Sequence, residues 1–211
     1  MRHDVIVIGL GAMGAAATYQ LAKRGAKVLG VDRFAPPHTL GSTHGETRIT
    51  RLAIGEAPEL TPLAMRSHQI WEEIEARTGA KLLNACGGLI ISNERSRAVS
   101  HGVENFFANT IKTARHHAIV HEALDAPAIR RRFPHFRVAD HEVGYYEPAA
   151  GFLAVEDCVR LQLDLARKHG ASIVTDHSVA AIETSGAGVR DRKSTRLNSS
   201  HIPLSRMPSS A

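Results

Sequence analysis

The chain has 211 residues, 43% of them apolar and 22% charged, with a formal charge of +5. That length suits one large domain or two small ones, the apolar share excludes disorder as the default state, and no apolar run is long enough to cross a bilayer. Four Arg and Lys against one Asp in residues 191–211 leave only +2 for the rest of the chain, and no basic stripe is interleaved with aromatics, so nucleic acid is not an expected partner.

Met1-Arg2-His3 is basic and precedes an apolar run, but Asp4 and the spaced glycines that follow argue against a secretory leader. Val5-Ile6-Val7-Ile8 is β-branched or apolar on both faces, which predicts a buried parallel strand. Gly9-x-Gly11-x-x-Gly14 comes next, then an alanine-rich helix over 15–24 that Gly25 is placed to cap. A second buried strand over 27–31 ends at Asp32, completing a right-handed βαβ unit. Residues 35–45 form a loop rich in Pro, His, Gly and Ser. Thr43-x-x-Glu46 has the spacing of a capping box and predicts a helix starting near His44. Arg48 and Arg51 would then share one helical face, as an anion site or as a solvated basic surface.

Further along, the pattern predicts a helix over 58–77, a strand over 87–92, a mostly helical stretch over 94–117 and a short helix over 124–133 stopped by Pro134. Extended pieces follow at 143–146 and 152–155, then a helix over 156–169 closed by Gly170, and strands over 171–175 and 178–182. The character changes near Ser185. Residues 191–211 are rich in Ser, Arg and Pro without periodicity, as in a disordered tail. The run 192–201 also resembles translated sequencing-adapter read-through, so this segment is set apart from the fold as a non-native or disordered tail. The natural gene is expected to continue past 190 with a different sequence.

The three glycines carry the first chemical signal. The first allows a tight turn, the second lets a pyrophosphate approach the backbone, and the third lets helix and strand pack closely. The helix N-terminus adds free N–H groups and a positive dipole end. Asp32 lies 18 residues after Gly14, where a carboxylate can accept from ribose hydroxyls and would repel a 2′-phosphate. Gly9, Gly11, Ala12, Met13, Gly14, Asp32 and Arg33 are therefore the candidate cofactor contacts. The bland alternative is a glycine-rich turn beside a surface aspartate, and the motif alone does not separate NAD from FAD.

The loop that follows is more specific. Pro36-Pro37-His38-Thr39-Leu40-Gly41-Ser42-Thr43-His44-Gly45-Glu46-Thr47-Arg48-Ile49-Thr50-Arg51 resembles the same segment in the monomeric sarcosine oxidase and N-methyltryptophan oxidase family, within the wider D-amino-acid-oxidase-like flavoproteins. The likeness continues through Gly55-Glu56, Pro62-Leu63-Ala64-x-Arg66, Gly87-Gly88, Arg132-Phe133-Pro134 and Glu147-Pro148-x-x-Gly151-Phe152-Leu153, and covers residues 3–185. It implies an α/β fold with an incomplete, FAD-binding Rossmann-type parallel sheet and part of a mixed α+β substrate domain. Residues 1–56 would be the first FAD-binding segment, 57–143 the partial substrate domain and 144–190 the return to the FAD-binding domain.

The resemblance also implies roles. Ser42 and Thr43 would line the cofactor channel, with His44 beside the flavin ring. Thr47 and Arg48 would contact or polarise the flavin, Arg51 would bind the substrate carboxylate, and the backbone of Val179 would meet the adenine. The implied reaction is FAD-dependent oxidation of a secondary amino acid such as sarcosine by O2, giving an imine and hydrogen peroxide, in a cytoplasmic monomer with no nucleic-acid or membrane partner. Thr43 and Leu52 replace common histidines and Ile54 a frequent tyrosine, which leaves the amine open. Family members with covalent FAD use a cysteine in the second half, so neither Cys86 nor Cys158 takes that role. These two cysteines form no disulfide framework and fit a reducing compartment. His116, His117 and His121 lack completing ligands and read as surface histidines, so no metal is expected. The rival classes are a nicotinamide dehydrogenase and an inactive dinucleotide-binding fragment. Lacking the family's second half, the 211-residue chain is expected to be inactive by itself.

Overall fold

A computed structural model describes residues 2–93, 104–185, 188–191 and 194–196. In chain order the elements are β1 (Val5–Ile8), α1 (Ala12–Lys23), β2 (Val28–Val31), β3 (Thr47–Thr50), a 3₁₀ turn (Pro58–Leu60), α2 (Thr61–Thr78), β4 (Leu83–Asn84), β5 (Gly88–Asn93) and α3 (Phe106–His116). There follow β6 (Glu122–Asp125), α4 (Ala126–Arg132), β7 (Glu142–Glu147), β8 (Gly151–Ala154), α5 (Val155–Lys168), β9 (Ser172–Val174), β10 (His177–Val179), β11 (Ile182–Ser185), β12 (Gly188–Asp191) and β13 (Ser194–Arg196). The chain divides into two units, residues 1–45 with 156–211, and residues 46–155. These divisions differ from those after 56 and 143, because β3 and β8 pair with each other and stay together.

The first unit holds the parallel sheet. β1 runs beside β2 with Val5 opposite Val28, and β9 joins the far side of β2 with Leu29 opposite Ser172. Leu10, Ala15, Val159 and Leu163 are at most 2% exposed and pack with Val7 and Ile173, so α1 and α5 close over the sheet. Each large apolar side chain buried this way contributes about 1.5–3 kcal/mol. The strand over 5–8 is less buried than its β-branched run predicts: Ile8 is 51% exposed. Its place at the end of the sheet order β1-β2-β9 is the reason, since among the described strands only β2 pairs with it. The strand expected over 178–182 is broken into β10 and β11. β13, within the segment set apart as a tail, runs antiparallel to β10, with Val179 opposite Ser194.

The second unit is mixed α+β. Its two antiparallel sheets have the orders β3-β8-β4 and β5-β7-β6. Ala53, Ala114, Ile119 and Tyr145 form one core, and Ala126, Ile129 and Val138 another. Residues 94–103 of the long predicted helix lie outside the described residues. The short helix expected from 124 starts two residues later, because Asp125 ends β6 and caps α4, its Oδ1 accepting from Ala128 N at 2.8 Å.

Candidate functional site

The glycine turn has the geometry its spacing demands. Gly9 adopts φ +85°, and a Cβ on Gly14 would lie 1.7 Å from the Gly9 carbonyl oxygen. Two backbones meet there, so only glycine fits. Gly11 precedes α1 in an extended conformation, leaving the first helical N–H groups without partners inside the helix. Thr43 Oγ1 accepts from Ala12 N at 3.3 Å.

Beside this helix start lies a cavity of about 310 Å³ lined by Gly11, Asp32, Arg33, Ser42 and Thr43 among others. Asp32 is 7% exposed. Its Oδ2 accepts from Leu10 N at 2.6 Å and its Oδ1 from Phe34 N at 2.8 Å, so the carboxylate ties the turns after β1 and β2 together. His38 Nε2 stands 3.5 Å from Oδ1. A carboxylate has about four acceptor sites, which leaves capacity for a ligand hydroxyl.

The helix expected near His44 is absent. Gly45 and Glu46 have φ +96° and +65°, and β3 then pairs antiparallel with β8, Arg48 opposite Leu153. The helical side-chain spacing is replaced by the two-residue alternation of an extended chain, which turns residues three apart to opposite faces. Arg48 and Arg51 therefore do not form a guanidinium pair on one helical face. Arg48 is exposed on β3, with its Nη1 donating to Thr47 O at 3.3 Å. Arg51 follows the strand. Its Nε donates to Ala53 O at 3.1 Å, its Nη2 engages both carboxylate oxygens of Glu56, and its guanidinium carbon lies 5.7 Å from the Phe106 ring centroid.

A buried polar cluster underlies this arginine. Glu147, 1% exposed, accepts from Leu52 N at 2.6 Å through Oε1 and from Ala53 N at 3.2 Å through Oε2. Tyr145 donates its hydroxyl to the same Oε2 at 2.7 Å. Burial first, then that hydrogen bond and the Glu147 charge, hold the Tyr145 phenol well above its ordinary range, with Arg51 pulling the other way.

His68 Nε2 is 2.9 Å from Thr50 Oγ1, and burial lowers its pKa below 6.5 against the opposing charges of Glu147 and Glu72. The folded state thus binds this proton more weakly than the unfolded chain, so stability is full above the unfolded value and declines as pH falls through the folded one. The thermal midpoint is expected to fall as pH drops below the unfolded histidine value of about 6.5, and His68→Gln, which cannot titrate, should flatten that slope. Parallel profiles for the two proteins would show that His68 carries none of it.

The sequence profile of the family described as FAD dependent oxidoreductase matches residues 4–201. The chain belongs to the FAD dependent oxidoreductase family. It is 40% identical over 187 residues to monomeric sarcosine oxidase from Bacillus sp. strain B-0618, covering 89% of this chain and 46% of that protein. It is 36% identical over 189 residues to N-methyl-L-tryptophan oxidase from Yersinia pestis strain Pestoides F, covering 90% and 49%. Among solved structures it resembles NikD, an amino acid oxidase essential for nikkomycin biosynthesis, with a TM-score of 0.74 and 26% identity over 89% of this chain and 46% of that one. The chain spans about half the length of these relatives.

The cofactor of this family is FAD, and the residues present fit a dinucleotide. The turn admits only glycine at 14, a helix N-terminus follows it, and a cavity borders both with Asp32 on its wall. Gly11, Asp32, Arg33, Ser42 and Thr43 are brought together there. Gly9, Ala12, Met13 and Gly14 form the adjoining turn and first helical residues, with Met13 86% exposed. His44 is half-buried in the same unit as the cavity. Val179 sits in β10 and is not among the residues that line the cavity. Thr47, Arg48 and Arg51 belong to the second unit.

Glu56, His68 and Glu147 received no role from sequence. The alternation Val143, Tyr145, Glu147 along β7 was a usable signal for the last, because it sets a carboxylate on the inward face of a strand. His121 is not a plain surface histidine: it is half-buried and stacks on Tyr145 at 5.3 Å. No group of metal-binding side chains is assembled among the described residues, and no helix there is long and apolar enough to cross a membrane. No disulfide joins Cys86, exposed, to Cys158, buried.

Proposed function

We propose that this chain is the first half of an FAD-dependent oxidase of secondary amino acids, of the sarcosine or N-methyl amino acid type. The observation that carries the reading is the Gly9–Gly14 turn and its adjoining cavity in a chain so similar to named oxidases of that type. In this reading the start of α1 faces the pyrophosphate, and Asp32 accepts from a ribose hydroxyl. Ser42, Thr43, His44, Thr47 and Arg48 keep the flavin-side roles that the resemblance assigns, and Val179 the adenine-side one. Bound FAD would supply a two-electron acceptor: the substrate's C–H and N–H would give up a hydride equivalent and a proton to leave an imine, and O2 with those two electrons and two protons would become hydrogen peroxide.

The protein's own contribution to substrate binding falls to Arg51. Its Nη2 already grips a carboxylate, that of Glu56, so a substrate carboxylate takes the same kind of charge-assisted, paired contact by displacing Glu56. Among the described residues β1 pairs only with β2, and Ile8 is 51% exposed. The whole protein is proposed to be a monomer acting on a small amine and O2.

The test is to denature the purified full-length protein, identify what it releases, and assay peroxide with sarcosine. FAD, either released or still attached to the denatured polypeptide, and peroxide formation are expected. A nicotinamide cofactor would turn the reading to a dehydrogenase, and no cofactor at all would leave a fragment without redox function. The 211-residue chain alone is expected to give no peroxide, since half of the relatives' length is missing from it. Turnover by that chain would contradict the division of labour proposed here.

A further inference from the structure

Arg51 donates through Nε to Ala53 O, so the direction in which its guanidinium edge points depends on where the backbone at 52–53 is held. That backbone makes a turn immediately after β3 in which two consecutive N–H groups, those of Leu52 and Ala53, converge on one buried carboxylate. Ala53 is itself fully buried. A carboxylate offers an acceptor oxygen to each amide, and Glu147 uses one for each. The Tyr145 hydroxyl also donates to that second oxygen, and Tyr145 is 1% exposed. The relay is therefore continuous: Tyr145 holds Glu147, Glu147 holds 52–53, and the Ala53 carbonyl holds the Arg51 Nε.

We propose that Glu147 is the positioning residue for the substrate carboxylate, acting through the backbone of Leu52 and Ala53 to fix the Arg51 fork. The inference rests on the reading of Arg51 as the carboxylate clamp. Glu147 touches neither substrate nor flavin in this scheme. Glu147→Gln keeps the volume but supplies one acceptor oxygen and one amide NH2. One of the two backbone N–H groups then loses its acceptor, and the turn loosens.

The experiment compares Glu147→Gln, Arg51→Ala and the double variant in the full-length FAD-loaded protein. The substrates are sarcosine and dimethylamine, which has the same secondary nitrogen without the carboxylate. Glu147→Gln is expected to raise KM for sarcosine about tenfold, equivalent to about 1.4 kcal/mol, with kcat changed less than about twofold and dimethylamine unaffected. In the Arg51→Ala background it should add nothing to the discrimination between the amines. Amide hydrogen exchange at Leu52 and Ala53, read without turnover, should be slow in the parent and fast in Glu147→Gln.

If Glu147→Gln does not fold, Tyr145→Phe should give a smaller rise of the same selectivity. Equal losses on both amines, full additivity with Arg51→Ala, or unchanged exchange at 52–53 would overturn the proposal. A selective Arg51→Ala with an unselective Glu147→Gln sinks this inference alone. An unselective Arg51→Ala sinks the clamp reading, and this inference with it.

Discussion

Arg51→Ala in the full-length protein is expected to lower kcat/KM for sarcosine roughly thirtyfold or more and to leave dimethylamine nearly unchanged. Truncating one partner of a buried, hydrogen-bonded charge pair costs about 2–5 kcal/mol, and about 1.4 kcal/mol is a factor of ten. The lower end of that range applies, because Arg51 already has a carboxylate partner: Arg51 and Glu56 are paired, each side chain 25% exposed. On the proposed reading, substrate binding exchanges one carboxylate for another, and only the difference would appear in the rate. Arg51→Lys should recover part of the loss, since a point charge cannot present the planar fork that meets both oxygens. Equal losses on the two amines would assign Arg51 to the fold or the flavin instead.

Gly14→Ala is expected to abolish FAD retention and to lower the thermal midpoint by several degrees. The added Cβ would sit 1.7 Å from Gly9 O and 2.8 Å from Gly9 C, both backbone atoms, so no rotamer change relieves the clash. Overpacking costs typically about 1–3 kcal/mol and occasionally more, against a total stability of about 5–15 kcal/mol. The shift that accommodates the methyl must part α1 from β1, at the point where the dinucleotide phosphates would be received. Gly25→Ala is the control. Gly25 has φ +89° but nothing within 4 Å of its Cβ, so that variant bears backbone strain without a clash and should keep its FAD. Flavin content and melting of the three proteins check this; a flavin-loaded Gly14→Ala protein would contradict the assignment of the turn.

The βαβ unit was legible because three local signals agree: a β-branched run, glycines at fixed offsets and an alanine-rich helix. The cavity wall was legible too, since Asp32, Arg33, Ser42 and Thr43 all sit in the loops that the motif organises. What failed was the capping box at Thr43-x-x-Glu46. Its spacing is sound, but Gly45 and Glu46 both turn into the left-handed region and the chain is claimed by β8, more than 100 residues away. Strand pairing at that separation leaves no local trace, and it overrides a helix-start signal. The same cause hid Glu147: its partners Leu52 and Ala53 lie 95 and 94 residues away, so their contact could not be read from spacing. Glu56, by contrast, is five residues from Arg51, and an acid that close to a candidate carboxylate-binding arginine was a signal within reach.

The most direct test of the central claim is to mix the purified full-length protein with sarcosine in the absence of oxygen and follow its visible absorbance. The flavin band is expected to bleach, then to return on admitting air with release of about one hydrogen peroxide per amine oxidised. A flavin that stays oxidised in the presence of sarcosine and other N-methyl amino acids, or a protein whose activity requires an added nicotinamide, would contradict the account.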